Sequence, residues 1–320
     1  MRIRFRRVKD VAARPAHWLI RAGRLLPERL QRSYFKSFGL LGKAYYFTPC
    51  SHARRTVGDF CRMTGRSDSQ RIYFQIVDNL LFAASGFGRL MSDGTDAVAE
   101  MVTFDEASVA RLEAVRAQYG AGILLVPHCA TSVLSAAGFA KRFPTLVLIR
   151  ESRNMSRSRL LRRYFDKLGS ELLFVRRTDP AIVARTILRA LHEKKFVIGT
   201  TDLARNAPDT VEVKFFGQGV PLPAWPARFS ARRKIPIIPA YIRVSGGRIV
   251  PSCGEPYIEQ DATVATQRWA GYFEKSIRES PADWAFMLDK HWSSVIAKAA
   301  EQKLSALSSQ LSVKGRPPNG

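Results

Sequence analysis

Four short apolar runs, separated by three segments of helical spacing, constrain the fold of this 320-residue chain more than any other feature. The runs are residues 121–126, 145–149, 171–175 and 195–200. The segments between them are residues 131–142, 156–168 and 180–192. The first run is short and apolar enough for a strand buried on both faces, and strands that alternate with helices pair in parallel through right-handed crossovers. The sequence therefore predicts an α/β fold with a mostly parallel central sheet flanked by helices.

The chain before this alternation predicts a helical N-terminal extension. Residues 10–92 carry apolar side chains at three- and four-residue spacing, and a polar connector follows at 93–104. We predict three regions. They are a basic helical N-terminal region over 1–104, an α/β domain over 105–292, and a C-terminal helix with a disordered tail over 293–320.

Beyond residue 200 the regular alternation ends, and the pattern predicts a hairpin followed by terminal helices. The segment 203–223 is first polar and then interrupted by prolines. A strand at 235–243 runs into the pair Gly246-Gly247, which is typical of a hairpin turn. Helices are predicted at 224–234, 262–279 and 282–311.

A histidine, His128, stands two residues after the first predicted strand. Ligands of open α/β sheets bind beyond the carboxyl ends of the strands, and an imidazole can accept a proton near neutral pH. We therefore interpret His128 as a candidate general base. A hydrogen-bonded loop residue is the alternative interpretation, and Cys129 as a thioester-forming nucleophile is a further one.

The charge balance restricts the partners of the protein. Fifty-one Lys and Arg against 27 Asp and Glu give a formal net charge of +24 and a pI near 10.5. Such a surface attracts nucleic acid, an anionic membrane or an acidic protein. Because the sequence has no zinc-finger spacing, aromatic RNA-binding motif or basic zipper, we expect no nucleic-acid partner.

The cysteine pattern predicts a reduced compartment. Cys50, Cys61, Cys129 and Cys253 are scattered and form no CxxC pair, which argues against a disulfide framework or a structural zinc site. The sequence also carries neither a glycine-rich phosphate loop nor a cluster of metal-ligand residues. We therefore expect no metal and no cofactor.

The N-terminal region predicts contact with a membrane surface. No apolar run reaches the roughly 18 residues that a transmembrane helix needs, and charges interrupt every run that could form a cleaved signal. Apolar residues at helical spacing are Trp18, Leu19, Ala22, Leu25 and Leu26. Residues 1–60 hold 14 basic and 3 acidic residues, which favours an anionic surface. The alternative is a solvated basic helix that packs on the protein's own core.

Several sequence blocks follow one another in order between residues 121 and 292. They are His128 at a strand end, Val147-Leu-Ile-Arg150, Arg162-Arg163 with Leu172-Leu-Phe-Val-Arg-Arg177, Phe196-Val-Ile-Gly-Thr-Thr-Asp202, Val213-Lys-Phe-Phe-Gly217 with Ile235-Pro-Ile-Ile-Pro239, and Pro281-Ala-Asp-Trp284. In this order the blocks resemble the lysophospholipid-acyltransferase superfamily, and within it the lauroyl and myristoyl transferases of lipid A biosynthesis.

This resemblance implies transfer of a fatty acyl group from acyl carrier protein to a hydroxyl of a lipid or glycolipid. His128 would be the general base, and Arg150, Arg163 and Asp202 would bind the substrate. An acidic carrier protein and an anionic lipid acceptor both suit a charge of +24. The resemblance also implies a peripheral position on the cytoplasmic side of a bacterial inner membrane.

The chain departs from the family pattern where an acid should orient the histidine. The family motif places an aspartate or glutamate five residues after its histidine, and here that residue is Val133. The acid orients the imidazole and stabilises its protonated form, which valine cannot do. Thr131 or Ser132 can orient a ring through a hydrogen bond but supplies no charge.

Two further departures lie downstream. Ala204 stands where the family usually has a second aspartate, and Leu288 and Asp289 stand where it has histidine and arginine. Two hypotheses therefore stay open: an acyltransferase with a substitute orienting group, or a catalytically degenerate homologue that binds carrier protein or lipid as an accessory subunit. A carboxylate such as Asp202 within hydrogen-bond reach of His128 favours the enzyme.

Overall fold

The computed structural model describes residues 28–151, 155–202 and 209–314, together with Ala22, Gly23 and Leu26. The α-helices in this part are α1 (Glu28–Ala44), α2 (His52–Thr64), α3 (Ser69–Ser92), α4 (Thr95–Ala99), α5 (Glu106–Tyr119), α6 (Ser132–Arg142), α7 (Met155–Phe165), α8 (Pro180–His192), α9 (Trp225–Arg233), α10 (Ala262–Glu279) and α11 (Lys290–Lys314). The strands are β1 (Gly122–Val126), β2 (Thr145–Ile149), β3 (Glu171–Phe174), β4 (Phe196–Thr200), β5 (Thr210–Phe215), β6 (Gln218–Pro223), β7 (Ile237–Ser245) and β8 (Arg248–Cys253). Single 3-10 turns cover Tyr45–Phe47, Pro281–Asp283 and Ala285–Leu288.

The central sheet has six strands in the order β3-β2-β4-β1-β7-β8. All neighbouring pairs are parallel except β7 and β8, which form an antiparallel hairpin around Gly246-Gly247. Both glycines have positive φ, 56° and 71°, a conformation that favours glycine. Every residue of β1 is buried, because the strand lies inside the sheet and helices cover its faces. The predicted fold class, α/β with a mostly parallel sheet flanked by helices, is confirmed.

The segment that ends the strand–helix alternation forms a separate two-stranded hairpin. Strands β5 and β6 pair antiparallel around Phe216-Gly217, and both turn residues have positive φ, 53° and 76°. The rings of Phe215 and Phe216 pack on the C-terminal segment, Phe215 on Trp292 at 4.9 Å and Phe216 on Trp284 at 6.0 Å between centroids. The hairpin thereby supports residues that follow helix α10.

The N-terminal helices share one hydrophobic core with the sheet. Phe60 of α2 and Ile72 of α3 are buried in the same cluster as the strand residues Ile123 and Ile238. Gly86 of α3 lies so close to α6 that a Cβ there would be 2.6 Å from Leu134 Cδ1. The hydrophobic core thus extends across residue 104. The boundary between the N-terminal region and the α/β domain at that residue stays a prediction from the sequence.

The C-terminal helix begins later and runs further than the sequence predicts. Instead of starting near residue 282, α11 begins at Lys290, and it continues to Lys314. The 3-10 turns take the place of its first turns because this stretch bonds to the loop after β1: Ala285 N–H donates to the His128 carbonyl at 2.9 Å. Most of the predicted surface helix around Trp18 to Leu26, and the tail from residue 315, lie outside the described residues.

Candidate active site

The register of the sheet brings His128 and Asp202 together. Strands β1 and β4 are parallel neighbours, and Val126 at the end of one pairs with Thr200 at the end of the other. The backbone continues for two residues beyond this last pair on both strands, so His128 and Asp202 lie side by side at the carboxyl edge of the sheet. They lie 74 positions apart in the sequence.

Two hydrogen bonds join Asp202 to His128. The backbone N–H of His128 donates to Oδ2 of Asp202 at 3.0 Å, and Nδ1 of the ring is hydrogen-bonded to Oδ1. A carboxylate at Nδ1 favours the tautomer that carries its proton there, which leaves Nε2 as the basic nitrogen. The His128 side chain is 28% exposed, and Nε2 has no hydrogen-bond partner within the part of the chain that the structure describes.

The Asp202 carboxylate is fully buried but does not lack partners. Trp284 donates its indole N–H to Oδ2 at 2.9 Å, and Trp292 donates its indole N–H to the Asp202 main-chain carbonyl, also at 2.9 Å. Burial raises the pKa of the Asp202 carboxyl. The charge of His128 and the hydrogen bonds from His128 and Trp284 outweigh burial and hold that pKa below its ordinary value. Asp202 is therefore ionised at neutral pH.

Phe286 covers one face of the His128 ring. The two rings are 3.9 Å apart between centroids and only 12° from parallel. The same 3-10 turn holds the His128 backbone through the Ala285 N–H, and Cys129 and Trp284 form a single antiparallel bridge. His128 is thus held by the hydrogen bond at Nδ1, by the stacked Phe286 ring and by the hydrogen bond to its main-chain carbonyl. The Nε2 side of the ring is left for a ligand.

Val133 and the two hydroxyls beside it do not orient the histidine. Val133 lies in the first turn of α6 and packs, partly buried, against the hydrophobic core. Ser132 Oγ donates to the Cys129 carbonyl at 2.8 Å. The buried Thr131 hydroxyl has no partner among the residues that the structure describes. The carboxylate that meets the ring comes from the end of β4 instead, while Ala204 lies outside the described residues.

Cys129 does not have the surroundings of a nucleophile. Its side chain is buried, and burial raises the pKa of the thiol well above its ordinary value. A nucleophilic cysteine needs a thiolate, which is stabilised by exposure or a nearby cation. The structure therefore disfavours the alternative interpretation of Cys129.

The structure places the two predicted substrate arginines differently. Arg150 directly follows β2, two strands from β1 at the same edge of the sheet, and is exposed. Arg163 is exposed in the last turn of α7, the crossover helix that leads back toward the start of β3. Topology thus brings Arg150 to the edge that carries His128 but does not bring Arg163 there. Substrate binding by either residue stays a prediction.

The sequence by itself does not reveal the roles of Trp284, Phe286 and Trp292. Trp284 belongs to a block that was recognised by resemblance, but its contact with Asp202 has no signal in the sequence. Phe286 and Trp292 lie in an apolar stretch that reads as an ordinary helix. Among the described residues, no group of three or more His, Cys, Asp or Glu side chains is arranged to hold a metal ion.

A histidine paired with a buried aspartate at the carboxyl edge of a parallel sheet defines an α/β protein with an acid–base pair. The chain belongs to the bacterial lipid A biosynthesis acyltransferase family, whose model matches residues 16–294. A comparison with curated proteins finds no significant match. No helix in the described part of the chain is both long and apolar enough to cross a bilayer.

Proposed function

We propose that this protein transfers a fatty acyl group from the thioester of acyl carrier protein to a hydroxyl of a lipid or glycolipid. The transfer takes place on the cytoplasmic face of a bacterial inner membrane. The observation that carries the proposal is the His128–Asp202 pair, because it supplies the oriented base that Val133 cannot support. Membership of the acyltransferase family supports the reaction class.

In the proposed mechanism, His128 acts as general base and then as general acid. Nε2 takes the proton of the acceptor hydroxyl while the hydroxyl oxygen attacks the thioester carbonyl carbon. This attack forms a C–O bond and a tetrahedral intermediate. The intermediate collapses with cleavage of the C–S bond, and the departing thiolate takes the proton back from Nε2. The products are an ester and the free thiol of the carrier, and the histidine returns to its starting state.

Asp202 takes a positioning role in this mechanism in place of the substrate contact predicted from the sequence. Both of its carboxylate oxygens accept hydrogen bonds from His128 or Trp284, and the side chain is fully buried. It holds the tautomer and stabilises the imidazolium that forms during transfer. In hydrolases, loss of the corresponding acid lowers kcat by about four orders of magnitude.

The proposed partners follow from charge. Acyl carrier proteins are acidic and the expected lipid acceptors are anionic, so a chain with a net charge of +24 attracts both. Arg150 is the proposed anion contact at the carboxyl edge of the sheet. The second candidate function, an accessory subunit without turnover, was suggested by Val133. The intact His128–Asp202 pair favours the enzyme over it.

The test is an assay of purified protein with acyl carrier protein thioesters of several chain lengths and with lipid acceptors in detergent. We expect turnover by the wild type and a loss of at least about 1,000-fold in His128→Ala. His192→Ala removes an exposed histidine at the end of α8 and serves as the matched control, with unchanged turnover. If the wild type is inert with every donor yet binds carrier protein, the accessory-subunit function replaces this proposal.

A further inference from the structure

Helix α1 exposes the large apolar side chains that an amphipathic helix normally buries. Leu40 and Leu41, near the C-terminal end of the helix, are 69% and 71% exposed. The glycines on either side of them, Gly39 and Gly42, face the protein. An ordinary surface helix has the opposite arrangement, with leucines toward the core and small or polar residues outside.

The glycines fix this orientation of α1 by allowing a close approach to α3. A Cβ on Gly39 would lie 2.8 Å from Leu81 Cδ1, and one on Gly42 would lie 3.1 Å from Val77 Cγ1. Tyr73 of α3 also donates its hydroxyl to the Gly42 carbonyl at 2.8 Å. The helix cannot turn its leucines inward without losing this packing, so their exposure is a consequence of how the two helices fit.

The exposed apolar surface continues beyond the end of α1. The following 3-10 turn contributes Tyr45 and Phe47, which are also exposed. Leu40, Leu41, Tyr45 and Phe47 are here called the outer ridge. Tyrosine and phenylalanine next to leucine are typical of side chains that enter the interface of a bilayer, where a ring can be buried while its polar end stays hydrated.

Basic side chains lie beside the outer ridge. Lys36 is exposed one turn before Leu40 on the same helix. Beside Phe47 lies a groove of about 740 Å³, and its lining includes three cations, Lys43, Arg54 and Arg71, against two carboxylates, Asp68 and Asp78. Cations at the edge of an apolar ridge favour a negatively charged surface, and for an anionic bilayer each nearby cation contributes on the order of a threefold to tenfold increase in affinity.

We propose that the outer ridge inserts into an anionic phospholipid bilayer and docks the protein on it. This inference rests on the proposed function in one respect: the bilayer is taken to be the membrane that holds the lipid acceptor. Helix α3 connects the ridge to the site, because it packs against α1 and also reaches Asp283 through Asn79, Nδ2 to Oδ1 at 2.8 Å. One helix therefore separates the docked face from the segment that holds Trp284.

The test is co-sedimentation with vesicles of phosphatidylglycerol and phosphatidylcholine, compared with vesicles of phosphatidylcholine alone. We expect the wild type to prefer the anionic vesicles and Leu40→Gln/Leu41→Gln to lose at least tenfold in partition coefficient. Val264→Gln is the matched control, because Val264 is 53% exposed at the start of α10 and does not belong to the ridge. It should change binding by less than twofold, and thermal melts should show that both variants are folded.

A second measurement uses the cysteines. Of the four in the chain, only Cys50 is exposed, and it lies three residues after Phe47. A polarity-sensitive maleimide attached to Cys50 should shift its emission to shorter wavelength with anionic vesicles, and the shift should disappear in the double leucine variant. An unshifted emission despite vesicle binding would place the bilayer contact elsewhere and overturn the proposal.

Two other occupants of the ridge have distinct outcomes. If the double variant binds vesicles normally but converts a dimer to a monomer in sedimentation velocity, the ridge is an interface between copies. If it loses only binding to acyl carrier protein, the ridge is a carrier surface. Either result overturns membrane docking. Vesicle binding needs no turnover, so failure of the proposed reaction is seen separately, and turnover with acceptor in detergent should be unchanged in the double variant.

Discussion

Phe286 and His128 lie ring on ring, 3.9 Å apart between centroids and 12° from parallel. The contact connects the C-terminal segment to the loop after β1 and desolvates one face of the imidazole. Stacked aromatic pairs contribute about 0.5–1.5 kcal/mol beyond the area that they bury, and a flat ring also interacts favourably with an imidazolium. Phe286 is therefore a positioning residue for the proposed base.

We expect Phe286→Leu to lower kcat by about threefold to tenfold, with little change in KM, because the ring loses its support but the substrate surfaces are untouched. Steady-state kinetics with carrier-protein thioesters measures both constants. Phe286→Tyr keeps the stack and should retain activity. Phe229→Leu, in a ring pair with Trp225 on α9, serves as control. A rise in KM alone would assign Phe286 to substrate binding.

Asp202→Asn should lower kcat by about 1,000-fold to 10,000-fold while the protein stays folded, because the amide keeps the shape of the carboxylate but not its charge. The measurement is single-turnover acyl transfer beside circular dichroism of the variant. Asp209→Asn changes a partly exposed carboxylate that pairs with Arg228 and should be nearly neutral. Full activity in Asp202→Asn would remove the aspartate from the mechanism.

The same carboxylate predicts a pH dependence of stability. The pKa of the Asp202 carboxyl is lower in the folded protein than its ordinary value of 3.8. Ionised Asp202 therefore stabilises the fold at pH values above 3.8, and this stabilisation is lost as the pH falls through the pKa of the folded protein. The melting temperature of Asp202→Asn should therefore lie below that of the wild type at pH 7. Thermal melts across pH should show the gap narrowing toward strongly acidic pH, and a constant gap would contradict the ion pair.

Val133→Asp restores the acid of the family motif without repairing anything that the structure lacks. Nδ1 of His128 already meets Asp202, so we expect kcat to change by less than about threefold. Stability should fall by about 1–2 kcal/mol, since Val133 packs against the core and a carboxylate there is partly desolvated. Val133→Leu controls for packing. A large gain in kcat would show that Asp202 is a poor orienting group.

Asp283 titrates in the opposite sense to Asp202. Burial raises the pKa of its carboxyl to about 6, although it accepts hydrogen bonds from Val244 N–H at 2.9 Å and Asn79 Nδ2 at 2.8 Å. Because the pKa of Asp283 is raised, its protonated carboxyl stabilises the fold fully below pH 3.8, and this stabilisation is lost as the pH rises through about 6. The rise of this pKa from 3.8 to about 6 corresponds to a loss of about 3 kcal/mol in the free energy of unfolding between acidic and neutral pH.

Asp283→Asn keeps the accepting oxygen and removes the buried charge. Its melting temperature relative to the wild type should rise by several degrees between pH 4.5 and 7.5, as followed by calorimetry. Asp96→Asn, an exposed carboxylate on α4, should show no such trend. If the relative stability of Asp283→Asn does not increase with pH, the carboxyl of Asp283 does not titrate in this range.

The fold was largely predictable because its signals are local. Strand β1 must be apolar along its whole length to lie inside a parallel sheet, and the Gly246-Gly247 turn needs positive φ, so both leave a record in consecutive residues. The start of α11 was predicted wrongly for the converse reason. Residues 282–289 have helical composition, but their backbone bonds to the His128 loop, and that partner is 157 positions away.

Sequence alone determined the central sheet, the position of His128 at a strand end and the absence of a carboxylate at Val133. Only the tertiary structure decided that Asp202 replaces that carboxylate, that Trp284 and Phe286 hold the pair, and that Leu40 and Leu41 face outward. The physical reason is register and helix fit. Pairing of Val126 with Thr200 and the approach of Gly39 and Gly42 to α3 are contacts between distant segments, and no pattern within either segment encodes them.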